Sequence, residues 1–103
     1  MIDSASQLAI FTGNIRDSEW LTIDTEADSL HSHPEKLCLM QIAIQNQVEL
    51  VDTLCGMNLD PLWDAMSGRE LIMHGADYDL RLLSSGHDFI PHRIFDTMLA
   101  ARL

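Results

Sequence analysis

Three acidic residues fall within five positions of the segment "WLTIDTEADSL": Asp24, Glu26 and Asp28. Asp24 and Glu26 end an apolar run of β-forming residues, two positions apart. On a strand, side chains at i and i+2 leave the same face. At roughly 3.3 Å per residue their Cα atoms stand about 6.5 Å apart, and the longer Glu can lean toward the Asp. Two carboxylates converging in this way repel unless one is protonated or a cation lies between them. Hard oxygen donors suit Mg²⁺ or Mn²⁺, and ions paired about 3.5–4 Å apart are one arrangement that hydrolyses phosphodiesters. Taken alone, D-x-E reads first as solvated acids at an exposed strand end.

A further carboxylate changes that weighting. Asp79 lies in "HGADYDLRLL", where Ala76, Leu80 and Leu83 trace the apolar stripe of a helix. Asp79 is three residues after Ala76 and four before Leu83, so it falls on or beside the stripe and needs a partner. Asp77 points outward as a first-turn acid favoured by the helix dipole.

The elements that must position these acids can be read from periodicity and punctuation. "DSASQLAIFTGNI" predicts a helix capped by Asp3 or Ser4, with Leu8, Ile10 and Phe11 on its apolar face. Trp20 to Glu26 reads as a strand, "HSHPEK" as a loop interrupted by Pro34, and "LCLMQIAI" as a central strand. "QNQ" turns the chain and "VELVD" returns as its hairpin partner, giving three consecutive antiparallel strands. "LDPLWDAM" opens a helix with Asp60 as N-cap and Pro61 at the first helical position. "ELIMH" is a short strand, "ADYDLRLLSSG" a helix ended by Gly86, "RIFD" another strand, and "TMLAARL" the start of a last helix. Strands alternating with helices at this spacing imply parallel βαβ units, and a right-handed crossover sets "LIMH" parallel to the first strand. The expected fold is therefore a mixed α/β sheet, a meander followed by crossovers. Asp79 then lies near the carboxyl end of the Asp24–Glu26 strand, where open α/β sheets place their sites.

Composition bounds the rest. The chain has 103 residues with 47% hydrophobic content, enough for one ordered domain. Sixteen acids against six bases give a formal charge of −10, the opposite of a module that holds nucleic acid by phosphate neutralisation alone. That sign suits a site whose bound cations invert the local field. No apolar run approaches the roughly 20 residues of a membrane span, and the N-terminus lacks the basic and apolar regions of a signal peptide. Cys38, in an apolar segment, reads as a buried thiol; with Cys55 it suggests a reducing cytoplasm. His31, His33 and His74 read as surface, capping or packing residues, and Trp63 packs on a helix face with Met66. Lys36, Arg81, Arg93 and Arg102 are too dispersed for a basic patch.

"DTEADSL", "PEKLCLMQIA", "HGADYDLRLL" and "FDTMLAARL", in that order, resemble the ribonuclease D branch of the DEDD 3′-5′ exonucleases. The first and last are also similar to the proofreading domains of bacterial family A DNA polymerases. The likeness runs from Trp20 to Leu103. It implies a ribonuclease H-like fold, with Asp24, Glu26 and Asp79 as catalytic ligands of two divalent cations, Mg²⁺ or Mn²⁺. It also implies hydrolysis of single-stranded RNA from the 3′ end to nucleoside 5′-monophosphates. Ala27, through the backbone after Glu26, and Leu30, as an apolar wedge, match positions that contact the 3′ nucleotide. The family's fourth acid and its Tyr or His base belong to a helix beyond "FDT". His92 and Asp96 fit H-x-x-x-D in spacing, but Asp96 belongs to the "FDT" segment. Residues 1–103 thus read as the N-terminal and central part of the exonuclease domain, apparently truncated at the C-terminus, with Met98, Leu99 and Leu103 still facing something. Rival readings are a DNA-directed proofreading exonuclease and a catalytically dead binding or scaffold module.

Overall fold

The computed structural model describes residues 1–28 and 36–101. Within them the chain forms α1 (Ala5–Arg16), β1 (Trp20–Asp28), β2 (Lys36–Ile44), β3 (Gln47–Asp52), α2 (Asp60–Ser67), β4 (Glu70–Met73), α3 (Ala76–His87), β5 (Arg93–Asp96) and α4 (Thr97–Ala101). The sheet has five strands in the order β3-β2-β1-β4-β5. β1–β2 and β2–β3 pair antiparallel, while β1–β4 and β4–β5 pair parallel. The meander and the crossovers expected from the sequence are both present. Ile2 also pairs beside Val51, with Ile2 N–H donating to the Leu50 carbonyl at 2.7 Å, so the chain start lies along the β3 edge.

Strand alternation divides the sheet into two unlike faces. Leu21, Ile23, Met40, Ile42, Val51, Leu71 and Met73 point to one face and are buried with Leu8, Phe11 and Ile15 of α1, Leu62 and Met66 of α2, and Leu83 of α3. Thr22, Asp24, Glu26, Gln41 and Ile72 alternate with them and point to the other face, where the acids and Gln41 are exposed. The core thus lies between the sheet and its helices, and the carboxylates of β1 leave from the opposite side.

A register shift at Glu26/Ala27 sets the end of β1. Glu26 pairs with Leu39 but Ala27 pairs with Leu37, leaving Cys38 as the extra residue of a bulge. Leu37 is thereby turned into the core, and Ala27 packs against it. Cys38 is half-buried rather than enclosed, because its thiol lies at the bulge and donates to the Glu26 carbonyl at 3.2 Å. Arg69 ties the helical layer to the sheet by donating to the Ile15 carbonyl at 3.1 Å and to the Arg16 carbonyl, at the end of α1.

Several boundaries differ from the expectation for local reasons. Ser4 alone caps α1, accepting from Gln7 N–H at 3.3 Å, and Ile10 is exposed because the buried stripe runs through Leu8, Phe11, Thr12 and Ile15. Asp60 is the first residue of α2 rather than its cap; Leu59 holds the cap position, and Asn58 Oδ1 accepts from Asp60 N–H at 3.0 Å. α3 continues through Gly86 to His87 and stops where Asp88 turns left-handed, at φ 53°. Trp63 is buried as expected, its ring 5.2 Å from His87 and 5.3 Å from Phe89.

Candidate active site

Asp79 is buried, on the first turns of α3, and is tied to β1 by a hydrogen bond: the Thr25 hydroxyl donates to its Oδ1. Thr25 lies between the two acids of D-T-E and, being of opposite parity, faces the helical layer. It is itself buried. The crossover therefore does deliver Asp79 to the end of β1, from the helix side, while Asp24 and Glu26 stand on the other face. Burial pushes the Asp79 carboxyl above its ordinary value, the Thr25 hydrogen bond opposes that shift, and the charge of Asp24 adds to it. Asp77 is exposed.

A second carboxylate fixes where α3 begins. Gly75, with φ +68°, precedes α3 and has no side chain with which to cap it. Asp96, from the end of β5, supplies the cap across the chain: its carboxylate accepts from Gly75 N–H at 3.0 Å and Ala76 N–H at 2.8 Å. The same group accepts from Met98 and Leu99 N–H at 2.9 and 3.4 Å, capping α4 as well. These bonds, the one from Ala76 foremost, push the Asp96 carboxyl down to about 2. Asp96 is thus committed to two helix starts, which removes it from the H-x-x-x-D spacing as a metal-ligand candidate.

The open sheet face carries a cavity of about 440 Å³ lined by Thr22, Asp24, Gln41, Ile72, His74 and Thr97, among others. His74 Nδ1 lies 2.9 Å from Thr97 Oγ1, and that hydroxyl also donates to the Met73 carbonyl at 3.3 Å. Sequence reasoning placed His74 only as a capping or packing residue. It missed Thr25, whose signal was a β-branched hydroxyl between two acids, and Asp96, whose signal was an Asp directly before a helix.

The donor chemistry fits a hard divalent cation: Asp24, Glu26 and Asp79 are oxygen donors, and a cation would offset both the burial of Asp79 and its repulsion from Asp24. Among the described residues no three His, Cys, Asp or Glu side chains converge into a ready cage. Leu30, His31, His33, Arg102 and Leu103 lie outside the described residues.

The topology and layering are those of a ribonuclease H-like α/β fold. Escherichia coli RNase D, an exoribonuclease involved in structured RNA processing, superposes with a TM-score of 0.88 at 22% identity, over 98% of this chain and 28% of that one. The catalytic core of RRP6 from Trypanosoma brucei superposes with a TM-score of 0.86 at 26% identity, over 98% of this chain and 29% of the other. A ribonuclease D of Sphingobium indicum is 31% identical over 98% of this chain. The 3′-5′ exonuclease family profile matches residues 1–103, and the chain belongs to that family. It spans about a quarter of the length of such relatives, 27% for the Sphingobium protein.

Proposed function

We propose that residues 1–103 form the N-terminal and central part of a metal-dependent 3′-5′ exonuclease domain. It shortens single-stranded RNA from the 3′ end and releases nucleoside 5′-monophosphates, in a reducing cytoplasm compatible with the free thiols of Cys38 and Cys55. The observation that carries this reading is the delivery of buried Asp79 to the strand end that bears Asp24 and Glu26. The ribonuclease D relatives support RNA over DNA as substrate. A Brucella melitensis protein of the same fold, NrnC, is known with bound Mg²⁺, which supports a divalent ion here.

Asp24, Glu26 and Asp79 would hold two such ions, Mg²⁺ or Mn²⁺. When bound, they supply activation of the attacking water and stabilisation of the leaving 3′ oxygen. The chain's own part is positional. Asp24 and Glu26 present exposed carboxylates from a strand paired with β2 along the acids and with β4 just before them, at Trp20–Thr22. Thr25 holds one oxygen of Asp79, and the other makes no hydrogen bond to a described side chain. The backbone after Glu26, at Ala27, and the Leu30 side chain take the terminal nucleotide in this reading. Asp96, taken up by backbone N–H groups, does not serve as the fourth acid of this reading.

The test is Mn²⁺-dependent shortening of a 3′-labelled single-stranded RNA by the full-length gene product, beside a DNA of equal sequence. Loss of activity in Asp24→Ala and Asp79→Ala, with faster cleavage of RNA, supports the proposal. Wild-type rates in either variant would overturn it.

A further inference from the structure

We infer that His74 is a substrate-contact residue of this site, its Nε2 accepting a hydrogen bond from a ribose hydroxyl of the 3′-terminal nucleotide. The inference rests on the exonuclease reading above and goes beyond it to a residue that the acidic motifs do not include.

A hydroxyl has one hydrogen to donate. We assign the Thr97 hydrogen to the Met73 carbonyl, 3.3 Å away, which leaves its oxygen to accept from His74 Nδ1 at 2.9 Å; the opposite assignment, Thr97 donating to Nδ1, would put the ring proton on Nε2. In the neutral ring so assigned, Nδ1 carries the proton and Nε2 is a bare acceptor. Nε2 makes no hydrogen bond among the described residues, although the ring is pinned at its other nitrogen and lies in an exposed position. A ring held at Nδ1 leaves Nε2 as an acceptor for a donor from outside the chain.

Its surroundings say what. His74 lines the same 440 Å³ cavity as Asp24, on the open sheet face, within the roughly 300–1,000 Å³ range of small-ligand clefts. An acceptor cannot bind a phosphate oxygen, which is also an acceptor, and it repels nothing that carries an O–H. Of the groups on a nucleotide 3′ end, the ribose hydroxyls are the donors common to every base. The arrangement also gives the "FDT" segment a second role: Asp96 anchors α3 while Thr97, the next residue, orients His74.

Two measurements on the full-length gene product decide the matter. Long-range ¹⁵N–¹H correlation of labelled histidines at about pH 8, above the ordinary imidazole range, reads the tautomer directly. A His74 signal with the proton on Nδ1, assigned by its absence in His74→Gln, supports the inference; a proton on Nε2 overturns it. In kinetics, His74→Ala raises KM roughly 3- to 10-fold, the loss of one hydrogen bond, with kcat little changed. That penalty shrinks toward unity on RNA whose last ribose lacks the contacted 2′ or 3′ hydroxyl. His74→Gln, which keeps an acceptor, and Thr97→Ser, which keeps the hydroxyl, recover part of the affinity, while Thr97→Val behaves like His74→Ala. An equal penalty on all three RNA ends, or an unchanged KM, overturns the inference. Asp24→Ala separates the two levels: if it remains active the exonuclease reading fails, and if it is inactive while His74→Ala is wild type, only the His74 contact fails.

Discussion

A carboxylate in the position of Asp79 is expensive for the metal-free fold. It is buried, it feels the charge of Asp24, and its one hydrogen-bond donor among the described residues is the Thr25 hydroxyl. The sign of the consequence follows from linkage. A carboxyl raised above its ordinary value binds its proton more readily folded than unfolded, so stability falls as pH rises through that raised range. Asp79→Asn, which keeps an oxygen for Thr25, is therefore expected to melt above the wild type at neutral pH in EDTA. The gain should vanish below the ordinary carboxylate range, where both states are protonated; an Asn variant less stable than wild type at pH 7 would contradict this. Thr25→Val removes the donor and leaves the carboxylate unsatisfied, at a cost of about 1–3 kcal/mol in urea denaturation. Thr25→Ser should lose clearly less, and equal losses in the two variants would show that the hydroxyl is not what matters.

At the scale of elements, Asp96 joins three of them: it ends β5 and begins both α3 and α4. Its carboxyl is held down to about 2 by backbone N–H groups. For a depressed acid, the contribution to stability is complete above the unfolded value near 3.8 and is lost as pH falls toward about 2. Asp96→Ala should therefore destabilise the fold at neutral pH and flatten the acid limb between about 4 and 2; an unchanged acid midpoint would remove Asp96 from the account. Much of this level was legible in the sequence. The meander, the crossovers and the arrival of α3 at the end of β1 follow from period, Pro61 and helix spacing, which are local signals. What local signals could not supply were partners distant in sequence. Gly75 shows no cap nearby because its cap comes from Asp96, 21 residues later. Thr25 reads as an ordinary strand residue until Asp79 is brought to it, and the bulge at Cys38 depends on the packing of Leu37 across the strand pair.

For the whole molecule, the sheet's two faces are the main asymmetry. Helices cover one, and the other shows Trp20, Val48, Leu50 and Phe95, each at least 37% exposed, around the acids of β1. An apolar sheet face of this kind seldom stands bare in water, and this chain spans about a quarter of its ribonuclease D relatives. The 103-residue chain should enhance the fluorescence of an apolar dye, and Leu50→Ser with Phe95→Ser should reduce it; an unchanged signal in the double variant would show that this face does not bind the dye. The overall charge of −10 suits the proposed function, in which cations at the site would offset the repulsion between an acidic molecule and an acidic substrate. The most direct test of the central claim is the Mn²⁺-dependent release of 5′-mononucleotides from the 3′ end of single-stranded RNA by the full-length product, wild type against Asp79→Asn. A fall of roughly 100-fold or more, the scale of removing one transition-state electrostatic contact, with retained folding by circular dichroism, is the expected result. Undiminished release by a folded Asp79→Asn protein would contradict the account.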